Sequence, residues 1–105
     1  MSSVELVLAA LADPRRRELL ELLARAPGGT AGSLAAALPV SRQAVTQHLA
    51  VLEEACLVSR RRAGRRVLFT VRTDGLTAAA GWLTGRAAAW SGPADSADQE
   101  EDPLL

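Results

Sequence analysis

The chain has 105 residues, of which 49% are hydrophobic, and its 12 basic and 12 acidic residues cancel at pH 7. That length fits one domain. No run of eighteen apolar residues could cross a membrane, the opening Met1-Ser-Ser-Val-Glu5 lacks the basic region and cleavage site of a secretory leader, and one cysteine makes no internal disulfide, so a cytoplasmic protein is expected. The neutral total conceals a partition. All twelve basic residues are arginines at or before Arg86, against seven acids in residues 1–90, whereas residues 91–105 hold five acids and no base. The chain reads as a basic domain over 1–90 with an acidic appendage over 91–105.

In chain order, Val4–Ala12 is expected as a helix with Val4, Val7, Leu8 and Leu11 on one face. Asp13-Pro14 starts the next: Asp caps, and Pro stands at the first position, where its missing N–H costs nothing. This helix runs to about Arg25, turns Leu19, Leu20, Leu22 and Leu23 to the core, and stops at Pro27-Gly28-Gly29. Arg15, Arg16 and Arg17 crowd its first turn, where cations oppose the helix dipole. They read either as a phosphate anchor or as a salt-bridged surface with Glu18 and Glu21.

Thr30–Leu38 is a short helix ended by Pro39, which pushes Leu38 out of the α region. Only Pro39 and Val40 precede Ser41, a good N-cap for a helix over 41–55, and Val40 with Val45 fits a hydrophobic staple. Val45, His48, Leu49 and Leu52 form the buried stripe. The opposite face carries Arg42, Gln43, Thr46 and Gln47. Arg forks onto guanine O6/N7, Gln pairs with adenine N6/N7, and Thr bonds a base or touches a thymine methyl. Two helices joined by so short a turn make a helix-turn-helix, whose second helix reads the DNA major groove.

Val58–Arg62 and Arg66–Arg72 are strand-like runs around Ala63-Gly64-Arg65, with Gly64 supplying the positive φ of a tight turn. Val67, Phe69 and Val71 give the second run an apolar face of period two. Arg60, Arg61, Arg62, Arg65 and Arg66 load the hairpin with positive charge and no acid. Edge strands do carry charge to block aggregation, but five cations alone suit phosphate or the minor groove better. Helix and ribbon together predict a winged helix-turn-helix: mainly α, about five helices, one two-stranded wing.

Gly75–Trp90 is the last helix, capped by Thr73 or Asp74. Leu76, Ala80, Leu83, Ala87 and Trp90 recur at heptad positions, and Trp82 extends apolar surface round a second face. One face for the domain and one for a partner subunit is the simplest account. The expected dimer interface is therefore Val4, Val7, Leu8, Leu11, Leu76, Ala80, Trp82, Leu83, Ala87 and Trp90. Residues 91–105 read as a disordered acidic tail.

Leu11-Ala-Asp-Pro-Arg-Arg-Arg-Glu-Leu-Leu-Glu-Leu-Leu23, Val40-Ser-Arg-Gln-Ala-Val-Thr-Gln-His-Leu-Ala-Val-Leu-Glu-Glu-Ala55 and Leu57-Val-Ser-Arg-Arg-Arg-Ala-Gly-Arg-Arg-Val-Leu-Phe-Thr-Val71 resemble, in order, the opening helices, recognition helix and wing of the ArsR family of bacterial winged-helix repressors. The resemblance covers residues 4–90 and implies a homodimeric repressor that leaves DNA when an effector binds. Two departures stand out. Cys56 occupies the place of the family's usual Gly after the recognition helix, so it must accept a left-handed conformation at steric cost or cap differently. Leu34–Val40 holds none of the paired cysteines of the metal-sensing members.

No enzyme site is expected: there is no phosphate-binding glycine loop, nucleophile elbow or HExxH pattern, and His48 is the only histidine. His48 and Cys56 lie about 12 Å apart by helix rise, too far to share an ion, so no metal site or cofactor is expected. Cys56 reads as a small buried hydrophobe, with a redox switch as the alternative. The expected DNA-binding set is Ser41, Arg42, Gln43, Thr46, Gln47, His48, Arg60, Arg61, Arg62, Arg65 and Arg66. Expected partners are double-stranded DNA at a palindromic operator, a second copy of the chain, and a small-molecule effector the sequence does not identify. The competing expectation is a protein-interaction module whose basic wing binds an acidic partner or its own tail.

Overall fold

A computed structural model describes residues 3–92; the expected acidic tail falls, from residue 93 on, outside the described residues. Five helices and one hairpin follow in the order α1 (Ser3–Leu11), α2 (Pro14–Arg25), α3 (Ala31–Ala37), α4 (Arg42–Glu54), β1 (Val58–Ala63), β2 (Arg66–Val71) and α5 (Asp74–Trp90). This is the winged helix-turn-helix the sequence predicts.

The helix starts follow from local chemistry. Asp13 accepts the Arg15 N–H at 2.8 Å ahead of Pro14. Ser41 accepts the Ala44 N–H at 3.0 Å, and Val40 and Val45 both reach the core cluster, as a staple requires. Leu38 is extended (φ −129°, ψ 153°), as its proline neighbour demands. Thr30 does more than the sequence suggested. It is the N-cap of α3 and forms a reciprocal box with Ser33 (3.0 and 2.9 Å), a serine doing what Glu or Gln usually does there.

The core gathers Val7 and Ala10 of α1, Leu19 and Leu23 of α2, Leu34 of α3, the Val45/Leu49/Leu52 stripe of α4, Leu57, Val58, Phe69 and Ala79. Helix α4 ends in a Schellman motif. The Leu57 N–H donates to Leu52 O at 2.9 Å and the Cys56 N–H to Glu53 O at 3.0 Å. Leu57 and Leu52, both fully buried, make the hydrophobic contact that accompanies this motif. Cys56 therefore takes φ +60°, the left-handed conformation that glycine adopts without cost. Its side chain is exposed, which corrects the expectation of a buried cysteine: a left-handed residue at the helix end projects its Cβ away from the core.

Strands β1 and β2 pair antiparallel from Val58↔Val71 to Ala63↔Arg66. Ala63 thus belongs to the strand, and the loop is the two residues Gly64-Arg65. Only Gly64 has positive φ (+63°), the pattern of a type II′ turn. The sheet also has a contribution the sequence did not reveal. Gly28 N–H donates to Phe69 O (2.9 Å) and Phe69 N–H to Gly29 O (2.8 Å), so the α2–α3 loop adds a bridge on the free edge of β2.

Helix α5 begins at Asp74, one residue early, with Thr73 at the N-cap but no side-chain cap bond. Gly75 is buried against the end of α4: a Cβ there would lie 2.8 Å from Ala55 O and 3.0 Å from Cys56 O. That close approach seats α5 across α1 and the Schellman turn.

Candidate nucleic-acid interface

The α3–turn–α4 unit turns the polar side of α4 outward. Ser41, Arg42, Gln43, Thr46 and Gln47 are exposed, while Val45, Leu49 and Leu52 are buried beneath them. Among the described residues, Arg42, Gln43 and Gln47 have no side-chain hydrogen bond to satisfy before meeting a ligand. Two of these five are already engaged. Ser41 Oγ is the helix cap. Thr46 Oγ1 donates to Arg42 O at 2.9 Å, which leaves it free to accept from a base amino group but not to donate at the same time.

His48 is half-buried at the edge of the core stripe, its Nδ1 3.5 Å from Arg16 Nη1. That arginine explains the crowded first turn of α2. Arg16 Nε donates to Ala10 O (2.7 Å) and Nη2 to Ala9 O (3.1 Å), and Arg17 Nη1 donates to Leu11 O (2.5 Å). The cations that look misplaced at the N-terminus of α2 satisfy the carbonyls at the C-terminus of α1, where positive charge suits the dipole. Arg15 pairs with Glu18 at 2.6 Å. Of the two readings of this cluster, the geometry favours the structural one. Asp13 lies beside it, and the Arg15 N–H it accepts holds its carboxyl below the ordinary range.

The wing arginines are not equivalent. Cross-strand partners share a face, so Arg60 and Arg62 lie on the side of Phe69 and Val67, and Arg61 lies opposite with Leu68. Arg60 is committed within the domain. Its Nη2 and Nε contact the Glu53 carboxylate at 3.0–3.1 Å, and its guanidinium sits 6.0 Å from the Phe69 ring centroid. It ties β1 to the end of α4. Arg61, Arg62, Arg65 and Arg66 have no carboxylate partner among the described residues and are exposed. Arg65 and Arg66 line a cleft with Arg42 and Thr46, which brings the turn of the wing to the front of α4.

The apolar residues assigned to a second subunit divide in the same way. Val7 is fully enclosed by its own domain and drops out of that set: the face of α1 on which it stands is the core face. Val4 and Leu11 are half-buried. Leu8 (40% exposed), Leu76 (37%), Trp82 (44%), Leu83 (49%) and Trp90 (68%) remain open, together with Ala80 and Ala87. Only Gly75 and Ala79 of α5 are buried, so the helix meets its own domain through a narrow small-residue face and leaves its larger side chains outside. Trp82 and Trp90 meet edge-to-face at 6.4 Å, and Arg86 lies 6.0 Å from the Trp90 centroid. No group of three or more His, Cys, Asp or Glu among the described residues could hold a metal ion.

A sequence-family model described as a helix-turn-helix domain matches residues 11–61. The chain is 51% identical over 69 residues to the HTH-type transcriptional regulator Rv2034 of Mycobacterium tuberculosis, a match covering 66% of this chain and 64% of that protein, so the chain spans under two thirds of that relative. It is 33% identical over 79 residues to the transcriptional repressor SdpR of Bacillus subtilis, covering 73% of this chain and 84% of the repressor. Its fold superimposes on the ArsR-like transcriptional regulator from Rhodococcus sp. RHA1 with a TM-score of 0.82 at 34% identity, over 98% of this chain and 94% of that one.

Proposed function

The chain belongs to the ArsR family of winged helix-turn-helix transcriptional regulators, and from that premise we propose that it is a homodimeric repressor that reads a palindromic operator. Helix α4 enters the major groove and presents Arg42, Gln43, Thr46 and Gln47 to base edges. The wing arginines Arg61, Arg62, Arg65 and Arg66 hold the backbone or adjacent minor groove. Ser41 and His48 serve at the phosphate margin, and Arg60 positions the wing.

The observation that carries this reading is the exposed, unpaired Arg42/Gln43/Gln47 face of α4 with the unpaired wing cations Arg65 and Arg66 beside it. A two-fold dimer through α1 and α5 would set two such helices about 34 Å apart, one turn of the duplex. The open Leu8, Leu76, Trp82, Leu83 and Trp90 supply apolar surface for that contact. The bacterial repressor named above supports repression as the direction of control.

The test is binding to upstream DNA at two salt concentrations. Gln43→Ala should cost about 1–3 kcal/mol on the operator and little on random duplex. Arg61→Ala and Arg65→Ala should weaken binding to all sequences and lower the salt slope by about one unit each. Equal loss from Gln43→Ala on both duplexes would mean that α4 does not read bases.

A further inference from the structure

Midway along α4, on the side away from the base-reading face, His48 Nδ1 lies 3.5 Å from Arg16 Nη1. Arg16 is where α1, α2 and α4 meet. It stands in the first turn of α2, its Nε and Nη2 hold the Ala10 and Ala9 carbonyls at the end of α1, and its Nη1 is also 3.7 Å from Asp13 Oδ2. Its side chain is only 18% exposed. A guanidinium has only donors and does not lose its proton in proteins. The ring nitrogen facing it is therefore the acceptor, which puts the proton of the neutral imidazole on Nε2. Nε2–H has no partner among the described residues, so it stays available to a phosphate.

A proton on Nδ1 would set donor against donor and cation against cation. The surroundings offer little relief. Of the elements packed on α4, α3 carries no titratable group, α1 carries Glu5, about one turn before Ala9, and β1 carries Arg60, taken by Glu53, with Arg61 and Arg62 exposed on the wing. The charged groups of α4 itself, Arg42, Glu53 and Glu54, stand five or six residues from His48, more than a turn away. Asp13 is the carboxylate at hand, and it is already shared between the Arg15 N–H and Arg16. Charging His48 breaks its contact with Arg16, and α4 loses that tie to α1 and α2.

We propose that Arg16 is a positioning residue for DNA recognition: through His48 Nδ1 it seats α4 against α1 and α2, so that base reading weakens when His48 is protonated. The proposal rests on the DNA reading above. Protonation has a second, opposite effect, since an added charge attracts phosphate on every sequence alike. Loss of the seat matters only on the operator, where Arg42, Gln43, Thr46 and Gln47 have to meet particular bases. The ratio of operator affinity to random-duplex affinity cancels the first effect and reports the second.

The experiment is fluorescence anisotropy of the full chain with both duplexes at about pH 8 and about pH 5.5, a span in which imidazole titrates and carboxylates stay ionised. The ratio should fall about three- to tenfold at the lower pH, the worth of one side-chain hydrogen bond. His48→Asn offers Arg16 an amide oxygen in place of Nδ1 and cannot titrate, so its ratio should not change with pH. Arg16→Gln should lower the ratio at pH 8 and remove its pH dependence. A wild-type ratio equal at both pH values, or a fall that persists in His48→Asn, would overturn the proposal. If Arg16→Gln does not fold, wild type and His48→Asn decide. A second readout needs no DNA: His48 is the only histidine in the chain, so its ring nitrogens are identified without assignment in a ¹⁵N–¹H correlation spectrum. The proton should reside on Nε2 at pH 8, and a proton on Nδ1 would overturn the proposal. A chain that binds neither duplex would refute the DNA reading itself, whereas one that prefers the operator with a pH-independent ratio would refute only the role of Arg16.

Discussion

Replacing Cys56 by glycine should stabilise the protein. Cys56 holds φ +60° as the left-handed residue of the Schellman motif that ends α4. A residue with a Cβ gives up about 1–2 kcal/mol in that conformation. Glycine removes the strain but gives back about 0.5–1 kcal/mol through the greater freedom of the unfolded chain. Because the thiol is exposed, no packing is lost with it. The net expectation is a gain of about 0.5–1 kcal/mol, or about 2–8 °C in melting midpoint for a domain of this size. Urea and thermal unfolding followed by far-UV circular dichroism, at one fixed chain concentration because association would shift the midpoint, measure it. Cys56→Ala separates the backbone effect from any effect of sulfur, and should match wild type. If Cys56→Gly is no more stable than Cys56→Ala, left-handed strain at the end of α4 is not what this position costs.

Gly75→Ala should have the opposite effect, costing about 1–3 kcal/mol in the same unfolding assay, because its Cβ would fall 2.8 Å from Ala55 O, a backbone atom that cannot rotate aside. Leu83→Glu should leave the monomer folded, since Leu83 is 49% exposed, but should halve the mass seen by light scattering at micromolar concentration; a wild-type mass of one chain would remove the dimer argument. Stability should fall in acid. The folded pKa values of Asp13 and Asp74 are depressed, Asp13 chiefly by the Arg15 N–H and Asp74 by its hydrogen bond from Arg72, so their contribution is complete above the unfolded value and lost as pH drops through the folded one, below about pH 4. Asp13→Asn, which keeps a capping oxygen but cannot titrate, should flatten part of that slope in a pH series of urea midpoints.

The element order was legible because this chain states its boundaries in local chemistry. Asp13-Pro14, Ser41 and Gly64 each fix a start or a turn through one residue, and the structure places each where that residue's backbone preference requires. What the sequence hid was non-local. The bridge from Gly28 and Gly29 to Phe69 joins residues forty apart and has no side-chain signature, since it is made of backbone groups. Val7 was misassigned because an apolar residue on a short helix looks the same whether its neighbour is its own core or another subunit. Only the packing of α1 beneath α5 separates Val7 and Ala10, which are buried, from Leu8, which is not.

The arginine-rich segments show the same limit more sharply. By sequence, Arg15–Arg17 and Arg60–Arg62 are both basic triplets, set apart only by the acids near the first. In the fold, Arg16 and Arg17 are consumed by the last carbonyls of α1, and Arg60 by Glu53. A guanidinium whose donors are already directed at carbonyls or a carboxylate has little left to offer a phosphate, because each new contact would require breaking a made one. Within the wing, the cations free to act on a ligand are therefore those whose position in the hairpin denies them a partner: Arg61 on the face away from Phe69, Arg62 toward the end of β1, and Arg65 and Arg66 at and beside the turn. Counting arginines estimates charge; strand register and helix ends decide which of that charge is available. On that argument Arg60→Ala should act mainly by loosening the wing from α4, and Arg61→Ala mainly by removing a contact.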